Sequence, residues 1–295
     1  MTMLKKIFKW AAIGLLSIIL LLGLSFGIIS FLVDKRMDKT YSFKKTSLDI
    51  PGDSATIDRG AHLVTIKGCN DCHGKQMDGK IMIDDFPMGR LSAANLTGGQ
   101  GGLDQNFTVE DWVMALKHGV GTDGKPLLLM PAHETTQLTD KDLSAIIAYC
   151  RSLPPVDHIL QPNKIGPLAR ILTHFDKIPL LSVEMIDHKK AENTSNAEPK
   201  DAIAMGRYLA VSCTGCHREN FKGGDAFVPG KPPMPNISAS GNPGKWTEQQ
   251  FTQVLRTGKT PAGHEMNSDD MPWKMTAQYT DEEISSIYQF LNSIK

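Results

Sequence analysis

A five-residue pattern occurs twice and governs what this chain can fold into: Cys69-Asn70-Asp71-Cys72-His73 and Cys213-Thr214-Gly215-Cys216-His217. Each copy sits at the same place in a longer repeat. A glycine-containing helical stretch precedes it, Gly60-Ala61-His62-Leu63-Val64 in the first copy and Gly206-Arg207-Tyr208-Leu209-Ala210 in the second. An Asn-aliphatic-hydroxyl triplet follows, Asn95-Leu96-Thr97 and Asn236-Ile237-Ser238. Phe107-Thr108 with Trp112 then corresponds to Trp246-Thr247 with Phe251, one helix in each copy. Met130-Pro131 corresponds to Met271-Pro272, and nine residues beyond each methionine Thr139 and Thr280 open a last helix.

Those last helices are legible in detail. Thr139-x-x-Asp142 resembles a capping box and Thr280-x-x-Glu283 is one, each offering a side-chain oxygen to open backbone donors. Leu143, Ile146, Ile147, Cys150 and Leu153 keep the helical period, as do Ile284, Ile287, Leu291 and Ile294. Gly60 and Gly206 are expected to let the first helix of each copy approach the last, where Tyr149 and Phe290 correspond. Cys150 aligns with Leu291 on an apolar face and reads as a small core residue.

The repeat divides the chain into a first domain at 52–153 and a second at 201–295. Residues 154–200 between them mix prolines, a short helical stretch from Leu168 to Phe175, and a polar run from Lys189 to Lys200 that reads as an exposed linker. Gly98 to Gly102, Gly119, Gly121 and Gly124 mark loops. No period-2 alternation stands out, so the expected fold is all-α with long loops.

The repeated motif carries its own chemistry. Attachment of a c-type haem needs two thiols for the two vinyl groups and an imidazole for the iron. At a helix start, the two-residue gap sets both sulfurs along one porphyrin edge, and the adjacent histidine turns beneath the metal. Cys69, Cys72 and His73 meet these needs, as do Cys213, Cys216 and His217, which predicts two covalently bound haem c groups. Two alternatives use only part of the pattern. The thiol pairs could join in a four-thiolate zinc site, or act as redox dithiols, although no βαβ pattern surrounds either. Neither accounts for a histidine directly after both pairs.

A second axial ligand must be found among 14 methionines, most of which read as packing residues. Met88 and Met234 stand at different distances from their Asn triplets. Met275 aligns with Glu134, and Met114 with Gln253. Met130 and Met271 alone occupy matching positions, each followed by proline. A thioether favours reduced iron, so His/Met ligation raises the potential and suits a carrier.

Residues 10 to 33, Trp10 to Val33, form 24 consecutive residues without a charge. As a helix this run extends about 36 Å, enough to cross a hydrocarbon core of about 30 Å. It follows Lys5, Lys6 and Lys9, so residues 1–40 read as a transmembrane signal-anchor, single-pass. Ser25-Phe26-Gly27 offers a weak cleavage site as the alternative. Lys35, Arg36, Lys39, Lys44 and Lys45 lie just beyond the span and favour a cytoplasmic C-terminal part by charge alone. Haem attachment places that part outside the inner membrane, in the periplasm. The 32 basic and 32 acidic residues balance, which leaves no basic excess for nucleic acid.

With these motifs in view, the chain resembles the diheme cytochrome c family, including cytochrome subunits of membrane-bound dehydrogenases and related periplasmic carriers. The resemblance covers about residues 55–295. It rests on both Cys-x-x-Cys-His motifs, on Lys117-His118-Gly119-Val120-Gly121 with Asp123-Gly124, and on Met271-Pro272-Trp273. It implies two tandem cytochrome c-like domains of three to five helices, with the methionine before proline as iron ligand. Some dehydrogenase subunits carry a third haem module, and this sequence contains two.

Arg90, Arg256, Trp246 and Trp273 are expected neighbours of haem propionates. His118, aligned with Thr257, is given a loop role, and the other histidines outside the motifs read as surface or packing residues. Two functions follow. The first is electron transfer between redox partner proteins, a dehydrogenase as donor or an oxidase or cytochrome as acceptor. The second is a diheme enzyme, a peroxidase or an oxidoreductase of small sulfur compounds, which needs one iron open to substrate. Two matched methionines favour the first, and a gas sensor would need an output domain that is not visible.

Overall fold

The computed structural model describes residues 2–193, 198–226 and 232–295. Helix α1 (Thr2–Met37) takes up the whole apolar run. Among the described residues it is the one helix long and apolar enough to cross a membrane. Its side chains are exposed through Ile28; Ile29 and Ser30 are half-buried, and Val33 is fully buried, where the last turns meet a later helix.

The first repeat then begins with α2 (Ser54–Ile66), capped by Asp53, and α3 (Cys69–His73). Strands β1 (Lys80–Asp85) and β2 (Gly89–Ala93) follow as an antiparallel hairpin. Helix α4 (Val109–Val113) opens with a full capping box at Thr108 and runs on through a wider turn at Met114–His118. A single helical turn, α5 (Ala132–Thr135), precedes α6 (Asp140–Ser152). Strand β3 (Lys164–Ile165) joins the hairpin, followed by α7 (Pro167–His174) and α8 (His188–Asn193). The second repeat uses α9 (Ala202–Leu209), α10 (Thr214–His217), α11 (Glu248–Thr257), α12 (Trp273–Thr276) and α13 (Asp281–Ser293).

In each repeat the first and last helices cross at a glycine. A Cβ at Gly60 would stand 2.0 Å from the Ala145 carbonyl oxygen, and one at Gly206 would stand 1.9 Å from that of Ser286. Only glycine permits so close a backbone approach. Tyr149 and Phe290 flank the two crossings as expected. Cys150 is buried in the core, also as expected. Leu63, Ile147, Leu209, Ile284 and Leu291 all belong to one hydrophobic core that runs through both repeats.

The fold departs from the all-α expectation by the three-stranded sheet β1-β2-β3. Strand β1 lies on the surface and buries neither face fully, so it lacks the alternation by which a half-buried strand is read. The 154–200 segment is also more than a linker. Leu180, Leu181, Ser182 and Val183 are buried, and Leu129 donates from its backbone nitrogen to the Leu180 carbonyl at 2.9 Å. These apolar residues follow Pro179 in a run too short to carry a period. In the polar part, α8 is helical, and residues 194–197 lie outside the described residues.

Helix α7 docks α1 onto the first repeat. Arg170 reaches the Ser30 carbonyl at 3.2 Å and Asp34 at 2.6 Å. Arg36 pairs with Asp176 at 2.7 Å and Glu184 at 2.5 Å. The basic residues that complicate the charge rule are thus partly spent on fixing the end of this helix.

Candidate functional site

Both Cys-x-x-Cys-His segments start helical turns, and the chain leaves them by the same path. The residue after each histidine has positive φ, Gly74 at +80° and Arg218 at +67°, and so has the fourth, Met77 at +57° and Phe221 at +59°. Arg218, Met77 and Phe221 hold conformations that glycine takes more easily, a strain of about 1–3 kcal/mol each that surrounding structure must enforce. The enforcing hydrogen bonds match. Gly79 and Gly223 donate to the carbonyls of His73 and His217 at 2.8 and 3.0 Å, and Leu96 and Ile237 to those of Met77 and Phe221 at 2.8 and 2.9 Å.

This path brings a backbone carbonyl to each imidazole. His73 Nδ1 lies 2.8 Å from the Ala94 oxygen, and His217 Nδ1 lies 2.8 Å from the Pro235 oxygen. Burial lowers the pKa of both histidines, with the carbonyls opposing. A neutral ring that donates from Nδ1 keeps its Nε2 lone pair for a metal. The Asn triplets hold these carbonyls in place. Asn95 Oδ1 accepts from the backbone and hydroxyl of Thr97 at 2.9 and 2.8 Å, and Asn236 Oδ1 from those of Ser238 at 2.8 and 2.8 Å.

Met130 and Met271 are brought into equivalent turns. Ala132 and Trp273 donate to the methionine carbonyls at 2.8 and 2.7 Å, around prolines with φ/ψ of −80°/57° and −74°/59°. These are inverse γ-turns. Each enters a short helix whose threonine hydroxyl ties it to the preceding helical segment: Thr135 to the Leu116 carbonyl at 2.5 Å and Thr276 to that of Leu255 at 3.0 Å. Met130, Met271, Cys69 and Cys213 all pack, partly buried, against the shared core. Burial raises the thiols, Cys69 and Cys213 to about 12, and Cys72 and Cys216 in the same direction. Among the described residues no three His, Cys, Asp or Glu side chains converge as a metal cluster. Paired thiols at the edge of the core, an oriented imidazole and a methionine in a matched turn fit the donor set of a c-type haem in both repeats.

Sequence reasoning missed Ser182. Its hydroxyl donates to the Met130 carbonyl at 2.5 Å and accepts from the Ala132 backbone at 3.3 Å, clamping the first methionine turn from the supposed linker. The other methionines take different places: Met88 sits at the hairpin turn, and Met234 pairs with Gly224 beside Pro235. Arg90 and Arg256 are engaged by Asp84 at 2.9 Å and Asp281 at 2.7 Å. Trp273 Nε1 donates to the Met266 carbonyl at 3.1 Å, and the Trp246 carbonyl accepts from Tyr288 at 2.7 Å. His118 is buried, 3.0 Å from His188, and both rings stack on Phe43.

The two repeats meet around their motifs. Lys67, just before the first motif, donates to the carbonyls of Tyr208 and Leu209 at 3.2 and 3.3 Å. Tyr208 donates to Asp142 at 2.6 Å, and Arg59 binds the same carboxylate through two bonds of 3.0 Å. His62, expected to be an ordinary packing or surface residue, contacts Glu283 at 2.8 Å.

Comparison with known proteins agrees with this arrangement. Residues 203–295 match the family described as "Cytochrome c", and residues 55–150 match "Cytochrome C oxidase, cbb3-type, subunit III". The chain is 28% identical over 266 residues to the fructose dehydrogenase cytochrome subunit of Gluconobacter japonicus, covering 81% of this chain and 52% of that protein. It is 25% identical to the alcohol dehydrogenase (quinone) cytochrome c subunit of Gluconacetobacter polyoxogenes, over 82% of this chain and 56% of that one. It is also 25% identical to the gluconate 2-dehydrogenase cytochrome c subunit of Pantoea cypripedii, over 86% and 63%. The chain thus spans little more than half the length of the curated relatives it matches most strongly. Both matched stretches contain a Cys-x-x-Cys-His motif, the means of covalent haem attachment. Residues 55–150 and 203–295 are thus each similar to a cytochrome c family, and each stretch carries one haem c attachment motif.

Proposed function

We propose that this chain is a membrane-anchored diheme cytochrome c that passes electrons between redox partner proteins. Cys69 and Cys72 would attach one haem, with His73 and Met130 as axial ligands. Cys213 and Cys216 would attach the other, with His217 and Met271. The two repeats, 52–153 and 201–295, would be tandem cytochrome domains in the periplasm, with α1 crossing the inner membrane. A membrane-bound dehydrogenase is the favoured donor, as the dehydrogenase subunits among the relatives suggest, and an oxidase or another cytochrome would accept.

The observation that carries this reading is the pair of equivalent Met-Pro turns, each bonded through a threonine to the preceding helical segment. A methionine at both positions would close both irons, which suits a carrier and disfavours an enzyme that must admit substrate. When bound, haem supplies reversible one-electron exchange at its iron. The chain does the rest. His73 and His217 keep one tautomer because each Nδ1 faces a carbonyl, and burial holds them neutral. The shared core keeps the two domains in one arrangement.

The test is haem stoichiometry and ligation. Intact mass and haem staining should give two haems per full chain. The oxidised protein should show sulfur-to-iron charge transfer from two low-spin sites, with weak binding of carbon monoxide and cyanide. One haem only, or one high-spin site with rapid peroxide turnover, would overturn the proposal. Recovery in the soluble fraction with residues 1–33 removed in the cell would overturn the anchor alone.

A further inference from the structure

The two motifs do not meet equivalent side chains from the opposite domain. Position 134 on α5 aligns with position 275 on α12, four residues after Met130 and Met271 respectively. Each projects across the interface onto the other domain's attachment segment. Glu134 Oε1 lies 3.1 Å from where a Cβ on Gly215 would be, inside the second Cys-x-x-Cys loop. Met275 Sδ lies 3.3 Å from the equivalent point on Gly68, next to Cys69. A carboxyl therefore serves one attachment loop and a thioether the other.

We propose that Glu134 tunes the haem held at Cys213 and Cys216 from the opposite domain, taking up a proton as that haem is reduced. This rests on the two-haem reading. The step balances simply: one electron arrives from the redox partner, one proton comes from solvent to the Glu134 carboxylate, and the local charge is unchanged.

The surroundings suit this role. The Glu134 side chain is only 17% exposed, so its charge is weakly screened. Burial pushes its pKa up to about 7, with Lys67 opposing. Lys67 faces it from the end of α2, itself lowered by burial. His133, on the same turn, lies 4.0 Å away and is also lowered by burial. Tyr279 is held far above neutrality by burial. Cys213 and Cys216 face it as well, with Arg218 beyond them, and the thiols cannot titrate once bonded to haem. Glu134 is therefore the group of this set placed to change charge near neutral pH. The first motif has a carboxylate too, Asp71, but it is exposed and its field is screened by water.

The experiment is a spectroelectrochemical titration of the full two-haem chain in detergent between about pH 5 and about pH 9, a window that spans the pKa of about 7. Met271→Ala identifies the second haem's wave. The wild-type second wave should fall as pH rises through neutrality, and Glu134→Gln should flatten it. At the alkaline end Gln should shift the electron's equilibrium towards the second haem by about tenfold. Glu134→Met, which copies the residue type at 275, should flatten it as well, and Asp71→Asn should leave it unchanged. A second wave that keeps its slope in both position-134 variants overturns the inference. A single wave from a one-haem protein would instead overturn the two-haem reading on which it rests.

Discussion

Tyr279 of the second repeat donates a buried hydrogen bond of 3.1 Å to the Ile66 carbonyl at the end of the first repeat's opening helix. The bond links the two repeats within the shared core, so the two domains should unfold together. Removing the hydroxyl leaves a buried carbonyl without this donor, at a cost of about 1–2 kcal/mol. Tyr279→Phe should therefore lower Tm in a single calorimetric transition. Two separated transitions in the wild type would contradict the shared core.

The methionine turns make a prediction about each iron separately. Met130→Ala should lower the potential of the first haem and open it to carbon monoxide, leaving the second unchanged; Met271→Ala should do the reverse. Visible spectra of the reduced protein under carbon monoxide, with redox titration, decide this.

Ser182 should matter to the first haem alone, because it braces the Met130 turn from both sides. Ser182→Ala removes that brace, worth about 1 kcal/mol and hence about fivefold in an equilibrium. Cyanide should bind the oxidised first haem about fivefold more readily. Equal effects on both haems would assign Ser182 a general stabilising role.

The Asn triplets act through the carbonyls they hold. Asn236→Ala should free the Pro235 oxygen from its place beside His217 Nδ1, making the imidazole a weaker donor. The second haem's potential should rise, while Asn95→Ala should raise the first. Unchanged potentials in well-folded variants would dismiss this route.

Acid should loosen the stack of Phe43 on His118 and His188. Burial, with His188 next, pushes His118 down from 6.5 to about 4. The folded state thus favours the neutral ring, and the unfolded state binds a proton first. This contribution is complete above about pH 6.5 and declines as pH falls towards 4, by about 2–3 kcal/mol. His188 directs the pair, since its Nε2 donates to the Val183 carbonyl at 2.8 Å and leaves Nδ1 to accept from His118. His118→Gln should flatten the difference between unfolding free energies measured at the two ends of this range.

The sequence by itself determined the repeat, its two Cys-x-x-Cys-His motifs, the matched methionine positions, the Gly60 and Gly206 crossings and the capped last helices. Each depends on residues close together in the chain, or on a period that one helix face imposes. It could not determine what the segment between the repeats does. Ser182 reaches the Met130 turn only because Leu180, Leu181 and Val183 are buried against the first repeat, and so short a run leaves no periodic trace. The hairpin was hidden for a related reason: its strands lie on the surface, so their side chains need not alternate. The pairing of Glu134 with the second attachment loop was the tertiary structure's decision alone. A residue four places beyond Met130 meets Gly215 of the other repeat's motif because both repeats bury their apolar helices in a single core.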